Sequence, residues 1–203
     1  MRIDVEQKSD AWLKARLGVC TASRFSDILP GVRGKYKVSR ENYLYELAAE
    51  RLTGISKVFR ESIEMAHGNE FESEARDAYE FITGNIVTET GITILDDNLF
   101  IGASPDGLVN DIGGIEIKCF DTKRHLKIVV SGMPAELMPQ VQGNIWINDC
   151  QWWDFVSYDP RITGTKNIYI QRIERDNDYI KTLKDECFSF LNEIDEVIKK
   201  VGE

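Results

Sequence analysis

Ser104-Pro105-Asp106-Gly107 and, one short turn later, Glu116-Ile117-Lys118 form the stretch on which the reading of this chain depends. Residues 116 and 118 stand two apart, so on a strand both side chains leave one face while Ile115 and Ile117 leave the other. Asn110-Asp111-Ile112-Gly113-Gly114 separates the two carboxylates and is rich in turn formers. A strand carrying Asp106 is therefore expected to fold back and pair with the strand carrying Glu116. Two hard oxygen ligands beside an ammonium suit metal-assisted hydrolysis of a phosphodiester. The carboxylates hold Mg²⁺, the ion activates water, and the lysine positions that water or steadies charge on the phosphate. The same residues also fit an exposed acidic turn followed by a solvated edge strand, because D-x(n)-E-x-K alone is a common pattern.

Working outward, the 203 residues suffice for a sizeable core and are expected to form one domain over 1–203. Hydrophobic residues at 42% and charged residues at 29% are ordinary for a soluble protein. Neither a signal segment nor a membrane-length apolar window is apparent. Cys20, Cys119, Cys150 and Cys187 are scattered without C-x-x-C spacing, which points to reduced thiols in a cytosolic protein rather than a disulfide or zinc framework. A net charge of −9 argues against simple electrostatic binding of nucleic acid. Distribution matters more: Arg33, Lys35, Lys37 and Arg40 form one basic run, and Lys118, Lys123, Arg124, His125 and Lys127 a second.

Periodicity predicts helices over 9–17, from about Thr21 or Ser23 to Pro30, through Tyr43, Leu44, Leu47, Ala48 and Leu52 up to Gly54, and over 62–81. The pattern then changes to strands over 86–95, 99–101, 107–110 and 114–120, a helix over 134–149, strands over 152–158 and 167–173, and a closing helix over 176–201. The result is a mixed α/β core with its chemistry on central strands.

A third carboxylate stands out. On the helix over 62–81, Glu72 shares a face with Met65, Gly68, Ala75 and Tyr79. A carboxylate among small and apolar neighbours is costly to bury without a partner. Two readings stand: a further ligand of the metal or its water, and a rim residue paired with Arg76 at i+4. Gln140 and Gln142 form an uncharged hydrogen-bonding pair that fits either a water- or nucleotide-orienting role or a polar helix surface. His67 and His125 read as structural or phosphate-facing, and Trp146, Trp152 and Trp153 as core or subunit contacts.

In combination these segments resemble the lambda-type alkaline exonuclease family of phage recombination, within the PD-(D/E)xK, restriction-endonuclease-like nucleases. The resemblance runs through 10–23, 68–76, Ser104-Pro105-Asp106-Gly107, Glu116-Ile117-Lys118-Cys119, Gln140-Val141-Gln142 and Tyr158-Asp159-Pro160-Arg161. It implies a restriction-endonuclease-like α/β core with a central mixed sheet flanked by helices. It also implies Asp106, Glu116, Glu72 and the carbonyl of Ile117 as metal ligands, with Lys118 and Gln140 as catalytic partners. Arg16, Ser23 and Ser104 match residues that bind a terminal 5′-phosphate. Met65 matches an apolar wedge at the end base pair, and Arg33 and Gln142 are matched to DNA contacts. Two Mg²⁺ ions are implied, with Mn²⁺ as a substitute. The implied activity is 5′→3′ digestion of one strand of linear duplex DNA to mononucleotides, leaving 3′ overhangs. A homotrimeric ring, a single-strand annealing partner and a cytoplasmic phage or prophage setting in a bacterial host come with it. An endonuclease or resolvase of the same superfamily, and a non-catalytic DNA-end binding protein, are the alternatives. Leu137 stands where a related protein has a tyrosine, and the segments 30–40 and 122–135 diverge.

Overall fold

In this computed structural model the described residues are 1–31, 34–56, 63–95 and 100–202, with the side chains of 63–70 outside that set. Among the described residues, nine strands fall into two sheets. The larger is ordered β3 (Val87–Thr88), β6 (Gly107–Val109), β7 (Gly113–Lys118), β8 (Trp152–Tyr158) and β9 (Ile168–Glu174). All its neighbours are antiparallel except β7 and β8, which run parallel from Gly113 beside Trp152 to Lys118 beside Ser157. The smaller is ordered β1 (Arg2–Ile3), β4 (Ile92–Ile94), β5 (Ile101–Ala103) and β2 (Cys20–Thr21). This is the mixed α/β arrangement expected from the restriction-endonuclease-like pattern, with central strands covered by helices on both sides.

The fold-back between the two carboxylates is present. β6 and β7 pair antiparallel from Gly107 beside Ile115 to Val109 beside Gly113. Asn110 and Asp111 turn the chain with φ of 50° and 59°, values that asparagine and aspartate tolerate better than other side chains. Strand alternation then sorts the faces. Ile115 and Ile117 join Ala75 and Tyr79 of α4 (Ile63–Thr83) in one apolar cluster. Glu116 points the other way, toward Gln140 and Asn144 of α6 (Met138–Ile147).

The remaining helices hold the frame. Ser9 caps α1 (Asp10–Ala15) by accepting from the Trp12 amide at 3.2 Å. Beyond β2 the chain takes a 3-10 turn over Ala22–Arg24 and a single helical turn, α2 (Phe25–Ile28), so the helix expected up to Pro30 is shorter than its pattern suggested. α3 (Val38–Thr53) stops at Gly54, whose φ of 69° closes the last turn. Its buried face of Tyr43, Leu44, Leu47 and Ala48 packs on α7 (Asn177–Gly202), which contributes Leu183, Cys187, Phe190 and Ile194. Each fully buried side chain of this size is worth about 1.5–3 kcal/mol, so the α3–α7 seam carries much of the stability. Leu52, expected on the inner face, is half-exposed.

The segment expected as one strand over 86–95 is two. β3 belongs to the large sheet and β4 to the small one. The switch falls at Gly91, where a side chain would run into the backbone oxygens of Ile3 and Val5. A further helix, α5 (Thr122–Ser131), had no counterpart in the sequence reading. Asp121 caps it by accepting from the Arg124 amide at 3.0 Å, and Gly132 ends it. α5 turns Lys123, Arg124 and Lys127 to solvent and buries His125 against Ser157 and the Lys166 carbonyl. All four cysteines are buried thiols outside any disulfide, and no helix among the described residues is long and apolar enough to cross a membrane.

Candidate active site

Asp106 and Glu116 meet because the β6–β7 register, extended one step beyond Gly107 and Ile115, sets them across from each other. The Asp106 carboxylate accepts from the Ile117 amide at 2.6 Å, which locks the fold-back at the point where the charges gather. Lys118 Nζ lies 2.5 Å from Glu116 Oε1, as expected for two residues on one strand face. Gln140 Nε2 donates to the same oxygen at 2.5 Å, and Asn144 Nδ2 donates to Oε2 at 3.1 Å. Glu72 lines a cleft of about 540 Å³ with Asp106, Arg76, Lys8, Glu89 and the strap over 4–7. Its carboxylate is 3.4 Å from Arg76 Nη2 and 3.9 Å from Lys8 Nζ, so the expected i+4 pairing with Arg76 is present.

The electrostatics are those of a region with too much negative charge. Burial pushes the Glu116 pKa up to about 7; Asp106 and Glu72 add to the rise and Lys118 opposes it. Burial likewise raises Asp106, against Lys118, the Ile117 amide, Arg76 and Lys8. Glu72 is raised by burial and by Asp106, while Lys8, Arg76 and Lys118 pull it down. Burial works to lower the Lys118 pKa, but Glu116, Asp106 and Glu72 outweigh it, so the ammonium stays charged.

A divalent cation fits this donor set. Among the described residues, no three His, Cys, Asp or Glu side chains are gathered into a ready cage. Mg²⁺ does not ask for one: it takes one or two carboxylates and fills the rest of its octahedron with water and substrate phosphate. Asp106 and Glu116 offer hard oxygens, and a cation between them would offset the cost of burying their charge.

The phosphate-matched residues also assemble. Arg16 Nη1 donates to Ser104 Oγ at 3.4 Å and Nη2 to Thr21 Oγ1 at 3.3 Å, and Thr21 is 3.3 Å from Ser23 Oγ. Trp12 donates its indole N–H to Ser104 at 3.0 Å and lies under the Arg16 guanidinium, 4.3 Å away. Burial lowers the Arg16 pKa, with Tyr43 and Glu50 opposing it only through space. A desolvated guanidinium ringed by hydroxyls is a receptor for an anion.

Some expectations need correction or fall elsewhere. Gln142 is buried, donating to the Glu174 carbonyl at 2.8 Å and accepting from the Asp176 amide at 3.1 Å. Both ends of its amide are spent tying α6 to the chain before α7, so it is not a DNA contact. Gln140 is no surface residue either, since its amide reaches Glu116. Arg33 and the Met65 side chain lie outside the described residues. In the first basic run, Arg40 is committed to Glu193, with bonds of 2.5 and 2.7 Å. Asn144, Thr21 and Trp12 belong to the site and were missed. Trp12 and Thr21 flank Arg16 in the segment 10–23, whereas Asn144 had no local signal beyond lying one helical turn after Gln140.

The fold and this cluster define a restriction-endonuclease-like nuclease core. A family model for the YqaJ-like viral recombinase domain matches residues 11–151, and the chain belongs to that family, within the lambda-type alkaline exonuclease group. The alkaline exonuclease LHK-Exo from Laribacter hongkongensis superposes with a TM-score of 0.89 at 39% identity, covering 96% of each chain. The same enzyme has also been solved in complex with dAMP. A phage-related exonuclease from Haemophilus somnus 129PT shares the fold at a TM-score of 0.70 and 20% identity, over 90% of this chain and 96% of that one. ExoD of Escherichia coli K12 is 31% identical over 65 residues, 32% of this chain and 74% of that protein.

Proposed function

We propose that this chain is a divalent-metal-dependent exonuclease that degrades one strand of linear duplex DNA from its 5′ end. It releases mononucleotides and leaves 3′ overhangs for recombination by strand annealing. The observation that carries this reading is the bond from the Ile117 amide to Asp106, which makes Asp106, Glu116 and Lys118 one site. The likeness to an alkaline exonuclease supports exonuclease action, and that enzyme's complex with dAMP supports a mononucleotide product.

Asp106, Glu116, the Ile117 carbonyl and Glu72 are the groups that would hold Mg²⁺ or, in its place, Mn²⁺, with two ions as the working number. When bound, such ions make water a nucleophile near neutral pH and offset charge on the phosphate and leaving oxygen. Lys118 is a donor rather than a base, because its carboxylate neighbours keep it protonated. It is placed to hold negative charge at the scissile phosphate. Gln140 and Asn144 fix both oxygens of Glu116. Arg16, with Ser23, Ser104 and Thr21, receives the terminal 5′-phosphate, which supports entry from a 5′ end.

Linear duplexes labelled at each end, with and without 5′-phosphate and with and without Mg²⁺, test the proposal. Release of 5′-labelled mononucleotide only with metal is the expected result, and a covalently closed duplex should remain intact. Cutting of the closed circle would favour an endonuclease. A ring of three copies and a single-strand annealing protein complete the proposal on family grounds. Light scattering that finds only monomer at micromolar concentration would count against the ring.

A further inference from the structure

Arg76 stands one helical turn after Glu72 on α4, and its guanidinium spans two carboxylates. Nη2 reaches Glu72 at 3.4 Å, and Nη1 reaches Glu89, on the connection between β3 and β4, at 2.5 Å. Only 13% of the Arg76 side chain is exposed, against 71% of Glu89. Its Nε is buried and makes no hydrogen bond, so the group is held by its two ends. An exposed i,i+4 pair contributes little. This pair differs in lying in the wall of the cleft that also holds Asp106, and in using a planar fork that lysine cannot reproduce. Without a cation on its outer side, Glu72 would be repelled by Asp106.

We propose that Arg76 is a positioning residue for the reaction: pinned from outside by Glu89, it holds the Glu72 carboxylate in the cleft beside Asp106. The inference rests on the nuclease reading of the site and adds to it an outer layer of two residues. Its signature follows from charge. Removing a positive group favours a cation through space, which offsets the grip that Glu72, one of four groups that would hold the ion, loses when it is no longer oriented; what stays lost is that orientation. The turnover rate should fall while metal affinity does not.

Full-length Arg76→Gln, Arg76→Lys and Glu89→Gln variants test this by three readouts. These are Mn²⁺ binding by calorimetry without DNA, the thermal midpoint, and kcat on 5′-phosphorylated linear duplex at saturating metal. Arg76→Gln should lower kcat about tenfold to hundredfold, the usual scale for partners that orient a metal ligand. Its Mn²⁺ affinity should equal or exceed that of the wild type. Arg76→Lys keeps the charge but cannot span both carboxylates, so it should lose kcat to a similar degree. Glu89→Gln should cost about threefold, as expected for one weakened ion pair. The proposal is overturned by a kcat for Arg76→Gln near that of the wild type, by full recovery in Arg76→Lys, or by a loss that tracks weaker Mn²⁺ binding. Should Arg76→Gln fail to fold, Glu89→Gln decides, and an unchanged kcat there is the overturning result. A wild type that neither binds Mn²⁺ nor cleaves would instead remove the nuclease reading itself.

Discussion

Carboxylates at two places along one sheet lose most of their water and meet opposite fates. At the junction of β6 and β7, burial raises Asp106 and Glu116, and Asp106 and Glu72 add to the rise at Glu116. Just past the end of β8, Asp159 is fully buried, and burial again works to raise it. There Arg161 and Thr122 win, holding the Asp159 pKa down at about 2. Its oxygens accept from Thr122 at 2.6 Å, from Arg161 Nε at 2.7 Å and from the Arg161 amide at 3.0 Å. The arginines repeat the contrast: Arg16 is lowered by desolvation, while Arg161 is raised by its bond to Asp159. Burial is common to both carboxylate sets, so it does not mark function. A burial cost that the partners present do not offset does, because charges left short of compensation are the ones that gain when an ion or a phosphate arrives.

The contrast breaks most visibly at Asp106. Asp106→Asn should reduce metal-dependent cleavage by about three orders of magnitude or more, the scale of several kcal/mol of lost charge stabilisation. The metal-free variant should nevertheless melt higher than the wild type near neutral pH. The folded chain binds the Asp106 proton more tightly than the unfolded chain does. Stability therefore falls as pH rises from the usual value of 3.8 through the raised folded one, and asparagine removes that loss. Thermal melts with chelator across pH check this, and a lower midpoint for the variant would break the comparison.

Next in size, Arg16→Ala should cut the preference for 5′-phosphorylated ends about tenfold to hundredfold, the worth of one hydrogen bond to a charged group. Competition between phosphorylated and unphosphorylated duplexes measures it.

Asp159→Asn should do the reverse of Asp106→Asn. It should lower stability by about 2 kcal/mol, from weakened charge-assisted bonds, and leave kcat of the folded fraction intact. Its folded pKa is depressed, so the contribution is present above the usual value of 3.8 and disappears as pH falls toward about 2. Acid titration should show a wild-type decline over that window which the variant lacks. Smallest of all, Lys8→Met should change cleavage by about twofold or less, since an exposed lysine 3.9 Å from Glu72 contributes little.

The sequence made the centre of the site legible because its parts are local. Two side chains on one strand face and a turn of Asn, Asp and Gly need no knowledge of the rest of the chain. The helices α3 and α7 were legible for the same reason, through a sustained apolar period. β1 and β2, each two residues long, are too short to show any period. α5 hid behind its basic residues, with only His125 and Ile128 buried on it. Asn144 reaches Glu116 across 28 positions, a relation that exists only once α6 lies on the sheet. Gln142 misled because its neighbour Gln140 does face the site, and a helix turns away by about 200° in two residues.

Trp152 and Trp153 lie directly alongside Gly113 and Gly114, so closely that any side chain on either glycine would collide with an indole ring. Those glycines are the base of the strand that ends in Glu116 and Lys118. The pair of indoles is thus a built-in optical gauge. Ultraviolet emission from these rings should shift when β7 and β8 part, and so record the loss of the catalytic strand without a label.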